Sequence, residues 1–254
     1  MAGYNTNIAY AYDGSFSGLL TCVYVSFYQR ELPAAIYRDA DEIGLLFPVK
    51  DIDTDDVAAQ KVESSIVDKI CQDALMLVYR CYLSDIDNRE LVILHFLRLG
   101  YKVGAKVMDM LANEVVHTAT KASRRVSGEA HAYKGLLRFS EYNGALVAVI
   151  EPVTFVLPLL AQHFCNRFPS EQLMIYDKTH KHIFVYQNGE RHLFPLEKLE
   201  LPPPDADEEM YRALWRRFYK TIAIEGRINP KLRMSNMPKR YWGQLTELMC
   251  DPAD

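Results

Sequence analysis

His163 and Arg167 stand four residues apart in QHFCNRF, so a helix through this stretch sets both on one face. That pair could clamp a phosphate or a substrate, with Arg138 and Asp177 on nearby strand ends as further contacts. An Arg–carboxylate pair that fastens helix to sheet is the commoner outcome for such an arrangement. Asp177 closes the apolar run of MIYDKTH. Catalytic carboxylates sit at such strand ends, and turn-initiating aspartates sit there as often. Taken with His163, it is the acid–base combination a hydrolase or lyase would use. Glu129 and His131 in GEAHAYKGLLRF, expected to follow a long helix, offer a second such combination, with no nucleophile beside them.

His180 and His182 flank Lys181 and, on a strand, point the same way. Two ligands do not make a zinc site, and no third His or Cys falls at ligand spacing. No metal is expected. The five cysteines, Cys22, Cys71, Cys81, Cys165 and Cys250, are scattered without a CxxC pair, which argues against a zinc or iron–sulfur site built by this chain. GxSxG, GxGxxG and GxxxxGK[ST] are all absent. Acyl transfer and nucleotide-cofactor chemistry lose most of their support, and no cofactor is expected.

The C-terminal arm carries a different kind of signal. Arg212, Arg216 and Lys220 recur every four residues beside a separate apolar stripe of Met210, Leu214, Phe218 and Ile222. Arg227, Lys231, Arg233, Lys239 and Arg240 follow, with Glu225 as the one acidic neighbour. Trp215, Tyr241 and Trp242 are interleaved. Cations of this kind suit backbone phosphates, and the aromatics suit stacking on bases or sugars. The plainer reading is that the aromatics anchor the arm while the cations keep that face soluble. Pro230 and Pro238 favour a fixed path over a loose tail.

The elements that position these groups follow from composition and period. The 254 residues are 49% apolar and 24% charged, with a net charge of -4. These are values of a folded globular chain, in which any phosphate-binding surface is a local basic patch. Nothing at the N-terminus reads as a signal peptide, no run spans a bilayer, and an odd cysteine count without a framework suits a reducing cytoplasm. IAYAY (8–12) reads as a strand, capped through Asp13 or Ser15 into a helix over 16–29. IGLLFPVKDI (43–52) reads as extended, with Pro48 at a sheet edge.

Four helices are expected between Thr54 and Val126. The first is capped by Thr54 or Asp55, the third runs from Asp87 and ends at Gly100, and the fourth runs from Val107. Strands then follow at 134–139, 145–150, 173–176, 182–187 and 192–196, with tight turns at Asn143-Gly144 and Asn188-Gly189. A helix over 156–168 interrupts them, and another over 207–225 follows Pro202-Pro203-Pro204, acidic at its start and basic at its end. The expected fold is α+β, a single domain over 1–254. It is an interrupted antiparallel sheet with a helical block inserted at about 54–127 and a C-terminal basic arm at about 205–248.

YDGSFSGLL (12–20), KGLLRFSE (134–141), LLAQHFCNRFP (159–169), MIYDKTH (174–180), Leu214-Trp215 and RINPKLRMSNMPKRYW (227–242) occur in this order. The series resembles a bacterial family of DNA metabolism or DNA repair proteins, a domain of unknown function. Its members are encoded beside a radical-SAM protein with a helix-hairpin-helix motif, or fused to a uracil-DNA-glycosylase-like domain. The resemblance spans almost the whole chain and is weakest over 54–126. It implies DNA repair or DNA binding in concert with such a partner enzyme, at Asp13, Gly14, Arg138, His163, Arg167, Asp177, Asn229, Pro230, Pro238, Lys239, Arg240, Tyr241 and Trp242. Where the family pattern has His and Gln, this chain has Tyr176 and Arg233. The first change removes a His–Asp dyad at the strand end, and the second adds charge to the arm. Direct hydrolase or lyase action on damaged nucleic acid, and a protein adaptor without DNA contact, are the alternatives.

Overall fold

The computed structural model describes residues 4–38 and 47–248. The α+β class holds, and the chain divides into two compact units, Met1–Ser127 and Gly128–Asp254. The first contains β1 (Ala9–Ala11), α1 (Phe16–Tyr28), β2 (Ala35–Tyr37), β3 (Val49–Asp51), α2 (Asp56–Lys69), α3 (Gln72–Tyr82) and α4 (Arg89–Val103). A 3₁₀ segment over Gly104–Asp109 follows, and the unit boundary falls within α5 (Glu114–Leu136). The second contains β4 (Ser140–Tyr142), β5 (Ala145–Ile150), α6 (Leu157–Arg167), β6 (Gln172–Asp177), β7 (His182–Gln187), β8 (Glu190–Pro195), α7 (Ala206–Ile222) and α8 (Pro230–Asn236). Short 3₁₀ turns at Glu225–Arg227 and Lys239–Gln244 flank α8.

The strands do not form one interrupted antiparallel sheet. β1, β2 and β3 make a separate sheet in the order β2-β1-β3, parallel throughout. The cause is visible in β1, whose three residues are all buried. A strand apolar on both faces is covered on both, as in sheets whose strands are joined by helical crossovers. α1 is such a crossover. Ser15 caps it by accepting from the Gly18 amide at 2.9 Å, and Asp13 in turn accepts from the Ser15 amide and hydroxyl and from Thr54 Oγ1. A Cβ at Gly18 would lie 2.3 Å from Asp13 Oδ1 and 2.8 Å from Thr54 Oγ1, so YDGSFSG needs glycine there to let the loop close. Asp55 caps α2. β3 is an edge strand that follows Pro48, as expected, while the Ile43–Leu46 part of that stretch lies outside the described residues.

Two helix boundaries differ from the sequence reading. Gly100 does not end α4; it admits Ile70, whose Cδ1 would sit 2.5 Å from a Cβ, and the chain turns instead at Gly104 with φ +68. The helix expected from Val107 begins at Glu114, where Asn113 Oδ1 accepts from the amides of Val115 and Val116. It continues to Leu136 through the stretch expected to open a strand. Val126, Ala130, Tyr133 and Leu137 keep helical spacing and are all buried, and a helical stripe of that length outweighs local strand preference.

The second sheet has the order β4-β5-β6-β7-β8, with β5 and β6 parallel and the other pairs antiparallel. The Asn143-Gly144 and Asn188-Gly189 hairpins have φ of 51 and 80, and 52 and 83, the left-handed pairs a two-residue turn requires. β5 and β6 are joined by α6, with Pro158 in its first turn. Their carboxyl ends come level, since Ile150 pairs with Asp177.

Candidate functional site

Ligands in parallel sheets gather where neighbouring strands end at their carboxyl sides. At the end of β6, Asp177 is fully buried. Its Oδ1 accepts from the His180 amide at 3.0 Å, and its Oδ2 lies 2.7 Å from His180 Nδ1. With Oδ2 as the acceptor in this bond, Nδ1 carries the proton and Nε2 is left for a ligand or solvent. The turn that permits this has Lys181 at φ +54. Phe155, from the loop after β5, packs against both His180 and His182 at 5.2 and 4.9 Å. His180 and Lys181 lie in the turn before β7, so the strand alternation expected of His180 and His182 does not place them. Among the described residues no group of three or more His, Cys, Asp or Glu could hold a metal ion.

The loop after β5 is fixed by Glu129 of α5. Its carboxylate accepts from the amides of Val153 and Thr154 and from Thr154 Oγ1 at 3.0, 2.8 and 2.7 Å, with Glu129 and Thr154 both buried. Glu129 and His131 therefore lie on α5 rather than after it, and Glu129 serves the loop while His131 is exposed. One turn on, buried Tyr133 meets Tyr241 edge-to-face at 5.0 Å. Among the described residues the buried Tyr133 hydroxyl has no hydrogen-bond partner. Burial, reinforced by the Glu129 charge, pushes its pKa far above the usual phenol range. The Arg240 guanidinium covers the Tyr241 ring at 4.9 Å, donates to its hydroxyl at 2.9 Å, and reaches 3.9 Å from Glu129. Burial also raises the Tyr241 pKa, with Arg240 opposing it.

These residues come from α5, the β5 and β6 ends and the 3₁₀ turn at Lys239–Gln244, stretches far apart in sequence. The family described as "Domain of unknown function (DUF4130)" matches residues 87–247. The chain belongs to that family. No curated protein and no solved structure matches the chain. The DUF4130 segment takes in Glu129, Tyr133, Thr154, Asp177, His180, Arg240 and Tyr241, while YDGSFSGLL precedes it.

Within the DUF4130 segment the expected His163–Asp177 combination does not assemble. Asp177 is engaged by His180, whereas His163, half-buried on α6, lies against Phe164 at 4.9 Å. Burial lowers the His163 pKa, and the positive charges of Lys134 and Arg167 add to the effect. Arg167 is exposed and lies over Phe168 at 5.6 Å. Arg138 does not join it: its Nη2 donates to Glu247 at 2.7 Å, and its Nη1 reaches the last carbonyls of α5. Sequence reasoning singled out Asp177 but grouped His180 with His182. The Asp-x-x-His spacing across a tight turn was the available signal for the true partner.

The basic arm divides into internally engaged and outward cations. Arg212 donates to Glu208 at 2.7 Å and to Ser140 Oγ at 2.6 Å. Arg233 and Lys239 lie over the Trp242 ring at 5.2 and 5.8 Å. Trp242 Nε1 donates to the Met237 carbonyl, and Trp215 Nε1 to Glu247. Arg216 is half-buried, while Lys220, Lys231 and Lys239 are exposed.

Proposed function

We propose that this DUF4130 protein binds nucleic acid through its C-terminal arm and presents it to a partner enzyme of DNA repair or DNA metabolism. The observation that supports this is the charge of the arm. Between Met210 and Thr246 nine Lys and Arg face a single acid, Glu225, in a chain of net charge -4. Arg217, Lys220, Arg227, Lys231 and Lys239 of that set are exposed, and Trp242, its indole bonded to the Met237 carbonyl, lies beneath Lys239. Cations on a rigid frame with an aromatic neighbour suit phosphates and stacked bases. The motif resemblance supplies the class of partner, a radical-SAM helix-hairpin-helix protein or a uracil-DNA-glycosylase-like protein.

Fluorescence anisotropy with single- and double-stranded DNA across a salt series tests the reading. Binding is expected to weaken with salt. The triple variant Arg227→Glu/Lys231→Glu/Lys239→Glu is expected to reduce the slope of log K against log salt by about 0.7–0.9 for each lost phosphate contact. Absence of salt-sensitive binding, or an unchanged slope in the variant, refutes it. Co-purification with the enzyme of either class tests the partner.

The Asp177–His180 pair favours a second reading, a hydrolase or lyase acting on damaged nucleic acid with His180 Nε2 as general base. Uracil-, alkyl- and abasic-containing oligonucleotides are the substrates to try. Turnover lost in His180→Gln supports this reading, and inertness of the wild-type protein on the whole panel removes it.

A further inference from the structure

α7 turns its apolar face to solvent. None of its residues is buried. Met210, Tyr211, Leu214, Trp215, Phe218 and Ile222 are between 42% and 64% exposed. At about 100° per residue they occupy a single arc of about 140°. The opposite side holds the helix in place, through Arg212 on Ser140 and Glu208. Ile224, Ile228 and Leu232 extend the exposed apolar surface beyond the helix. At roughly 100 Å² apiece the nine side chains expose on the order of 900 Å², above the largest apolar patch usual on a monomer and close to one side of a standard interface.

We infer that a second copy of this chain covers this face, with the two α7 helices packed antiparallel across a two-fold axis. The charges on α7 are complementary to themselves in that arrangement. Asp205, Asp207, Glu208 and Glu209 stand at its start and Arg216, Arg217 and Lys220 at its end. Antiparallel packing brings opposite ends, and opposite ends of the helix dipoles, together. Leu214 and Trp215 stand mid-helix, and a two-fold axis between them sets Leu214 of each copy against Trp215 of the other, and Phe218 against Tyr211. A self-complementary patch is what a two-fold interface requires. Within this arc stands no Lys or Arg, so the face itself offers a phosphate backbone no cation. This pairing is independent of the nucleic-acid reading, and it would set two basic arms in one assembly.

Sedimentation velocity of the full chain across the micromolar range tests the pairing. The wild type is expected to dimerise, and Leu214→Asp/Phe218→Asp to stay monomeric with an unchanged circular dichroism spectrum, because both residues are exposed. A monomeric wild type, including one that recruits a different protein to this face, overturns the inference. Dimerisation that survives Leu214→Asp/Phe218→Asp overturns it as well. DNA binding measured on the Leu214→Asp/Phe218→Asp monomer reports on the arm separately.

Discussion

Glu247→Gln should loosen the end of the arm from the body of the second unit. The Glu247 side chain is 4% exposed and accepts from Arg138 Nη2 at 2.7 Å and from Trp215 Nε1 at 2.9 Å. Arg138 also lies 5.9 Å from the Trp215 ring and covers the last carbonyls of α5, so one carboxylate joins α5, α7 and the chain end. A glutamine oxygen can keep one of the two bonds, while its amide group meets a donor. A charged hydrogen bond contributes about 1.5–3 kcal/mol, and breaking a buried pair costs about 3–5 kcal/mol. Arg138 is 31% exposed, so solvent screening brings the expected loss down to about 2 kcal/mol. At about 2–4 °C per kcal/mol, Tm should fall by about 4–8 °C. In a Trp242→Phe background, Trp215 emission should shift to longer wavelength as its indole loses the carboxylate.

Acid titration of the same protein supplies a second test. Burial acts to raise the Glu247 pKa, but its backbone, Trp215 and Arg138 bonds overcome that and hold it below the ordinary carboxylate value. A carboxyl depressed in the fold stabilises it above the unfolded pKa, about 4.3. That contribution is lost as pH falls from there through the folded value, and in Glu247→Gln the component should be missing. The control is Glu200→Gln, whose carboxylate is exposed beside Lys198. If Glu247→Gln shifts neither Tm nor emission more than Glu200→Gln does, the anchoring role is refuted.

Three further outcomes can be checked on the same preparations. Gly18→Ala should cost about 1–3 kcal/mol in urea unfolding, because the new Cβ strikes an Asp13 oxygen already fixed by Ser15 and Thr54; wild-type stability would show that the loop yields freely. Glu129→Ala should cost about 3 kcal/mol by leaving the buried amide and hydroxyl of Thr154 unpaired. A loss no larger than that of an exposed Glu→Ala change would contradict it. Burial pushes the Cys22 and Cys81 thiols up to about 12, so iodoacetamide at about pH 8 should leave both unlabelled in the native protein and, of the four cysteines among the described residues, modify the half-buried Cys71 first. Mass spectrometry of the peptides reads the order directly.

Features set by near neighbours in sequence were legible. The caps at Ser15 and Asp55 each stand at one of the two positions the residue types offered. Both Asn-Gly turns adopt the left-handed pair that only such residues accept cheaply. Strand direction was not legible, because IAYAY looks the same whether its neighbours run parallel or antiparallel. The length of α5 was misread for a related reason. Its last turns are too short to show a period by themselves, and burial against distant residues decides them. The candidate site shows the same division. Asp177 could be singled out because an apolar run ends on it, but the meeting of Glu129 with Thr154 and of Arg138 with Glu247 spans 25 and 109 residues, and no local pattern encodes it.

The MPKRYW segment combines two roles that composition alone runs together. Tyr241 and Leu245 are buried, and Trp242 is tied by its indole to Met237, so the aromatic half of the motif seats the arm. Arg240 is committed to Tyr241 and drawn toward Glu129, although its side chain is still 48% exposed. Lys239 is exposed as well and lies over the Trp242 ring. A ligand that needs cations finds them at Lys239 and at other exposed residues of the arm, Arg227 and Lys231 among them. Substituting Arg240 or Tyr241 would disturb the fold first and any ligand second. An arm built this way carries its charges on a frame fixed before the ligand arrives. That lowers the conformational entropy lost on binding, since the long basic segment is ordered when the chain folds rather than when it meets a partner.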